Sequence, residues 1–269
     1  MNTLSKSNDK FLYDFYAHKR IEEVNTTINA NMDSILYPNK NKTLCAFGDS
    51  LTDKNTGGYV EIMQNIVGCK VINKGSSGSA TDRLVNIVTG NSITRVNYST
   101  VFPEINYSEI DIVTIMIGTN GAVGTSTFND IPIIINDTVK TIEDGGTITY
   151  NEQTISTVEE YWNLFPNTYY GNISLCIEWI LWKNPNIRIY LLTPPPSSQL
   201  QLKQDGYAQK VRTAMREIGE YYGIEVINTL GECGISIHNM AIYSRDNTHM
   251  NDLGNKKLGT YFAKKIFNK

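Results

Sequence analysis

Apolar positions along the chain form short unbroken runs that alternate with amphipathic stretches. Residues 43–47 (TLCAF), 69–73 (CKVIN), 111–118 (DIVTIMIG), 187–193 and 224–228 read as strands. Residues 58–67 (GYVEIMQNIV), 81–88 (TDRLVNIV), 172–183, 204–222 and 252–268 carry the three- and four-residue spacing of helices. The run at 111–118 is apolar almost throughout, as suits a strand covered on both faces. Strand–helix alternation of this kind predicts an α/β fold, a doubly wound, flavodoxin-like parallel sheet of five strands in a three-layer α/β/α sandwich. In such a sheet ligands sit at the carboxyl ends of the strands.

Two regions depart from the rhythm. Residues 121–171 carry no long helix signal and read as an insertion, with a hairpin expected over 138–151 on Asp144-Gly145-Gly146 and an aromatic-rich segment after it. Residues 8–35 read as a helix striped by Phe11, Phe15, Ile21, Val24, Ile28 and Ile35, ending in the polar linker 39–42. That stripe suits either self-association, giving a homo-oligomer, or packing on the domain. The expected division is therefore a helical extension over 1–42 and one domain over 43–269.

Composition removes several function classes. The 269-residue chain has a formal net charge of −3 and no basic block, so nucleic acid is not an expected partner. No stretch reaches the ~18 apolar residues of a membrane span, and the N-terminus shows no apolar signal core. The expectation is a protein that is cytoplasmic or carried in a larger particle. Cys45, Cys69, Cys176 and Cys233 have no metal-ligand spacing, so neither a zinc site nor a disulfide framework is expected, and no metal or other cofactor is called for.

Polar residues collect where the apolar runs stop. Gly48-Asp49-Ser50-Leu51 follows the first strand, Asn73-Lys74-Gly75-Ser76-Ser77-Gly78 the second, and Gly118-Thr119-Asn120 the third. Asp246-Asn247-Thr248-His249 precedes the last helix. Each alone has an ordinary reading as a turn or cap. Four in order, three at successive strand ends, point to one rim. A serine hydroxyl needs a base within hydrogen-bond reach, and only His18, His238 and His249 are available. His249 is the candidate, with Asp246 three residues earlier to orient it.

These blocks resemble the SGNH, or GDSL, hydrolase superfamily over about residues 43–269, with 121–171 as a poorly matched stretch. The resemblance implies a serine esterase whose triad is Ser50, Asp246 and His249. It also implies an oxyanion hole from the N–H of Ser50, the N–H of Gly75 and the amide of Asn120, with Asn73 and Gly78 shaping the loop. Asp49, Tyr161 and Trp162 are candidate substrate contacts. The expected substrate is a short-chain ester, with O-acetyl groups of a carbohydrate favoured, so the partner is an acetylated glycan. Two alternatives stand beside it: a lysophospholipase or thioesterase on a single acyl chain, and a glycan-binding module of a phage-tail-like assembly.

Overall fold

A computed structural model describes residues 18–28, 38–97, 99–121, 127–132, 138–197 and 206–268. Five parallel strands make the central sheet: β1 (Thr43–Gly48), β2 (Lys70–Gly75), β3 (Ile112–Met116), β6 (Arg188–Leu192) and β7 (Glu225–Ile227). Their order is β2-β1-β3-β6-β7, the flavodoxin-like arrangement. Leu44 pairs with Val71 on one side and Ile112 on the other, which makes β1 a central strand. The three-layer α/β/α reading of the sequence is the fold observed.

Side chains alternate across β1 and divide the interior in two. Leu44 and Ala46 face a core shared with helices α2 (Tyr59–Val67), the short α8 (Met240–Tyr243) and α9 (Asp252–Phe267). Cys45 and Phe47 face the other core, built with α3 (Thr81–Val88), α6 (Tyr169–Lys183) and α7 (Tyr207–Tyr222). All six residues of β1 are buried, as a strand covered on both faces requires. The chain leaves β1 for β2 and returns to β3 on the opposite side. The carboxyl ends of β1 and β3 therefore flank the point where strand order reverses, and a crevice opens there.

The 138–151 hairpin is a correction. Thr138–Glu143 is a short helix, α4, and the strands of the hairpin are β4 (Ile148–Tyr150) and β5 (Gln153–Ile155). Val139 and Ile142, three apart, are both buried, so a run read as β-branched strand serves equally as one helical face. The turn falls on Asn151 and Glu152, both at positive φ (45° and 65°), the pairing that a two-residue primed turn demands. A second short helix, α5 (Val158–Asn163), starts at a capping box in which Thr157 and Glu160 satisfy each other's backbone N–H.

Residues 18–28 form a helix, α1, whose residues are all exposed, Ile21, Val24 and Ile28 among them. The rest of the expected 8–35 helix lies outside the described residues. No described helix is long and apolar enough to cross a membrane. All four cysteines are free and buried.

Candidate active site

The turn after β1 carries Ser50, which is only 6% exposed. Thr52 and Asp53 donate their N–H groups back to Asp49 O at 3.0 Å each and close the turn. Thr56 Oγ1 donates to Ser50 O at 2.7 Å and fixes the nucleophile's peptide plane.

Asp246 and His249 come from a loop closed by the Ser244–Met250 bridge and by Arg245 N–H on His249 O at 3.0 Å. Asp246 Oδ1 accepts the N–H groups of Thr248 (3.0 Å) and His249 (2.6 Å), and Asn247 takes a positive φ to allow it. The other oxygen, Oδ2, lies 2.7 Å from His249 Nδ1. Burial pushes the Asp246 carboxyl up, but the hydrogen bonds from His249 and Thr248 outweigh it and leave the carboxyl below its ordinary range. With its Nδ1 proton directed at Asp246, His249 turns an Nε2 lone pair to Ser50 Oγ, 2.9 Å away. Ser50, His249 and Asp246 are thus brought into one hydrogen-bonded line, the arrangement that activates a hydroxyl for attack on a carbonyl.

Donors for an oxyanion are found by asking which N–H groups lack a partner. Ser50 N–H has none among the described residues. Asn120 Nδ2 donates one proton to Ser79 O at 3.2 Å and keeps the second; its own O accepts from Tyr207 Oη at 3.2 Å. Gly75 differs from expectation. Its N–H donates to Asn73 Oδ1 at 2.9 Å, while Asn73 Nδ2 donates to Thr52 O at 2.8 Å. A Cβ at Gly75 would collide with the backbone of Thr52 and Asp53, so this glycine permits close packing of two loops. Gly78, three residues on, has φ of 76°, open space around its Cα and an N–H without a partner among the described residues. The bond from Asn120 to Ser79 O draws the amide side chain to Gly78's end of the loop.

The three candidate substrate contacts are also corrected. Asp49 is fully buried, with Oδ1 on Leu51 N–H at 3.0 Å and Oδ2 on Thr119 N–H at 3.3 Å. Tyr161 and Trp162 are 1% and 5% exposed, because α5 lays them into the core against α6. Trp162 meets Tyr161 at 4.8 Å, Trp179 at 5.2 Å and Trp182 at 5.6 Å between ring centroids, an edge-and-tilt cluster typical of interior aromatics. Neither ring presents a face to the crevice.

The rim beside Ser50 is polar, and sequence reading did not single it out. Ser77 Oγ lies 2.9 Å from Thr56 Oγ1 and donates to Asp53 Oδ2 at 2.8 Å. Arg83 Nη1 reaches Ser77 O at 3.4 Å, and the Arg245 guanidinium donates to Thr56 O. Loops after β1 and β2 and the loop before α9 are thereby laced together around the nucleophile. The available signal was adjacency, since Arg245 stands next to Asp246 and Ser77 next to Gly78.

The family model of GDSL-like lipases and acylhydrolases matches residues 46–257. Among solved structures, the lipase/acylhydrolase from Enterococcus faecalis is similar at 17% identity and a TM-score of 0.51, covering 84% of this chain and 95% of that one. A protein from Lactobacillus plantarum is similar at 15% identity and a TM-score of 0.54, with 84% and 97% covered. Likeness at these identities concerns the fold. No curated protein sequence matches significantly.

Proposed function

The chain belongs to the GDSL-like lipase/acylhydrolase family, and from that premise we propose that it is a serine esterase acting on short-chain esters, with O-acetyl groups of a carbohydrate as the favoured substrate. The observation that carries this reading is the continuous line from Ser50 Oγ through His249 to Asp246, at 2.9 and 2.7 Å.

In the proposed reaction Ser50 Oγ attacks the acyl carbon as its proton passes to His249 Nε2. Asp246 holds the imidazole and favours its cationic form. His249 then protonates the departing alcohol oxygen, leaving an acyl-serine. Water, deprotonated by the same nitrogen, attacks that ester, and the acid and free Ser50 result. The oxyanion of each tetrahedral intermediate is assigned to Ser50 N–H, the spare proton of Asn120 Nδ2 and, in place of Gly75, Gly78 N–H.

The short acyl group and the glycan rest on the rim. Thr56, Ser77, Asp53, Arg83 and Arg245 offer hydroxyl, carboxylate and guanidinium groups next to Ser50, which match sugar hydroxyls better than an alkyl chain. The test compares 4-nitrophenyl acetate, butyrate and octanoate with wild type and Ser50→Ala, then measures acetate release from an acetylated polysaccharide. Serine-dependent turnover that falls beyond butyrate, with acetate released, supports the reading. Turnover rising toward octanoate overturns the acyl choice in favour of a lysophospholipase or thioesterase. Glycan binding without ester cleavage by either protein overturns the enzyme in favour of a binding module.

The exposed Ile21, Val24 and Ile28 of α1, at spacings of three and four, support self-association of this chain through that helix. Light scattering on the full chain and on Ile21→Asp/Ile28→Asp tests it: a dimer or higher oligomer that the double variant turns into monomer supports the proposal, and a monomeric full chain ends it.

A further inference from the structure

Asp49 has no exposed surface, yet each of its carboxylate oxygens holds a different loop of the site. Oδ1 accepts Leu51 N–H, on the far side of Ser50, and Oδ2 accepts Thr119 N–H, the residue before Asn120. One buried side chain thus ties the turn bearing the nucleophile to the loop bearing an oxyanion donor. An ionised carboxylate accepts from both N–H groups, one on each oxygen, and presents a proton to neither. A protonated acid or an amide would set an O–H or N–H against one of them.

We propose that ionised Asp49 is a positioning residue of the hydrolysis, keeping the Ser50 turn in register with the Asn120 loop, and that its protonation uncouples the two and slows turnover separately from protonation of His249. The inference rests on the nucleophile assignment made above. Burial raises the Asp49 carboxyl to about 6, with the bonds from Leu51 and Thr119 and the charge of His249 pulling the other way. The titratable groups that face it are His249, Tyr59 from α2, Tyr169 from α6 and Tyr207 from α7. Burial raises all three phenols, so they remain neutral while Asp49 titrates. Asp246 is held below the ordinary carboxylate range, so on descending pH Asp49 is the carboxylate of the site that takes up a proton first.

The experiment is the pH profile of kcat for 4-nitrophenyl acetate with wild type, Asp49→Asn and Ser50→Ala. In wild type, loss of activity on two protonations gives an acid limb whose slope approaches two on logarithmic axes; Asp49→Asn leaves a slope of one. At neutral pH the Asn variant is expected to lose roughly 10- to 100-fold in kcat with KM little changed, the signature of a lost transition-state alignment. A variant with wild-type kcat and an unchanged acid limb overturns the proposal. A wild-type limb of slope one also overturns it, and does so even if the variant fails to fold. Retained turnover by Ser50→Ala would instead overturn the nucleophile assignment beneath it, an outcome distinct from either.

Discussion

His249 Nε2 stands 2.9 Å from Ser50 Oγ although 199 residues separate the two in the chain. The parallel sheet makes this possible. Ser50 follows the first strand, and the loop of His249 is moored to it by Arg245 on Thr56 O, while Thr56 Oγ1 holds Ser50 O. The base and the nucleophile are thus positioned by the same residue.

Within that loop Asp246 is expected to orient the imidazole. Asp246→Asn keeps an oxygen for one set of partners and places an amide against the rest. Its side chain is half exposed, so water replaces part of what is lost. The expected fall in kcat is roughly 100-fold to 10⁴-fold, the upper value being that of a buried triad Asp. Steady-state kinetics on the purified variant checks this, and a fall of less than tenfold would remove Asp246 from the assignment.

The oxyanion donors separate by substitution. Asn120→Ala should lower kcat by about 100- to 1000-fold with the fold intact. Gly75→Ala should act through stability instead, because its methyl group meets the backbone of Thr52 and Asp53; overpacking of that kind costs about 1–3 kcal/mol. Gly78→Ala has open space for its methyl group and costs about 1–2 kcal/mol through its positive φ. Thermal melts beside kinetics distinguish them: a Gly75→Ala protein with wild-type melting but no activity would restore Gly75 as the donor.

The parallel sheet and the polar blocks at its strand ends were legible because apolar runs and turn residues carry strong local signals, whereas the bonds of Ser77, Thr56, Arg83 and Arg245 around Ser50 were not. Ser50, Asn120, Asp246 and His249 could be named since each stands where a strand or loop must end in a polar group. Which glycine N–H is free to serve as the proposed donor was not legible. Gly75 and Gly78 are alike in sequence, and only the bond from Gly75 N–H to Asn73 Oδ1 tells them apart. Asp49 was misread for a related reason, as a charged residue beside a nucleophile suggests contact with substrate. One of its two backbone partners, Thr119 N–H, is 70 positions away in the chain. Tyr161 and Trp162 show the converse, since aromatic density alone does not say which side of a helix faces the core.

At the opposite end of the sheet, Asp111 ties the start of β1 to the start of β3. Lys42 Nζ lies 2.7 Å from Oδ1 and Thr43 N–H 2.9 Å from Oδ2, and the Lys42 bond chiefly holds the carboxyl below its ordinary range. A lowered carboxylate contributes stability above the unfolded-state pKa of about 4 and loses it as pH falls through the folded value. Urea midpoints at neutral and strongly acid pH should therefore drop further for wild type than for Asp111→Asn. The pair is partly exposed, so the difference is small. Equal drops would mean that Asp111 is not held low.

The aromatic cluster gives the last prediction, and it separates packing from substrate contact. Trp162 is 5% exposed and touches Tyr161, Phe165, Trp179 and Trp182, and Arg95 caps the same segment through the carbonyls of Trp162 and Phe165. Truncation to Ala leaves a cavity between α5 and α6 and costs about 3–5 kcal/mol. Trp162→Phe keeps much of the contact and should cost less. Both variants, assayed well below their melting temperatures, are expected to keep the wild-type KM for 4-nitrophenyl acetate and for an acetylated polysaccharide, because the ring never reaches the crevice. A KM raised severalfold on the polysaccharide alone, with melting unchanged, would mean that the indole meets the glycan after all.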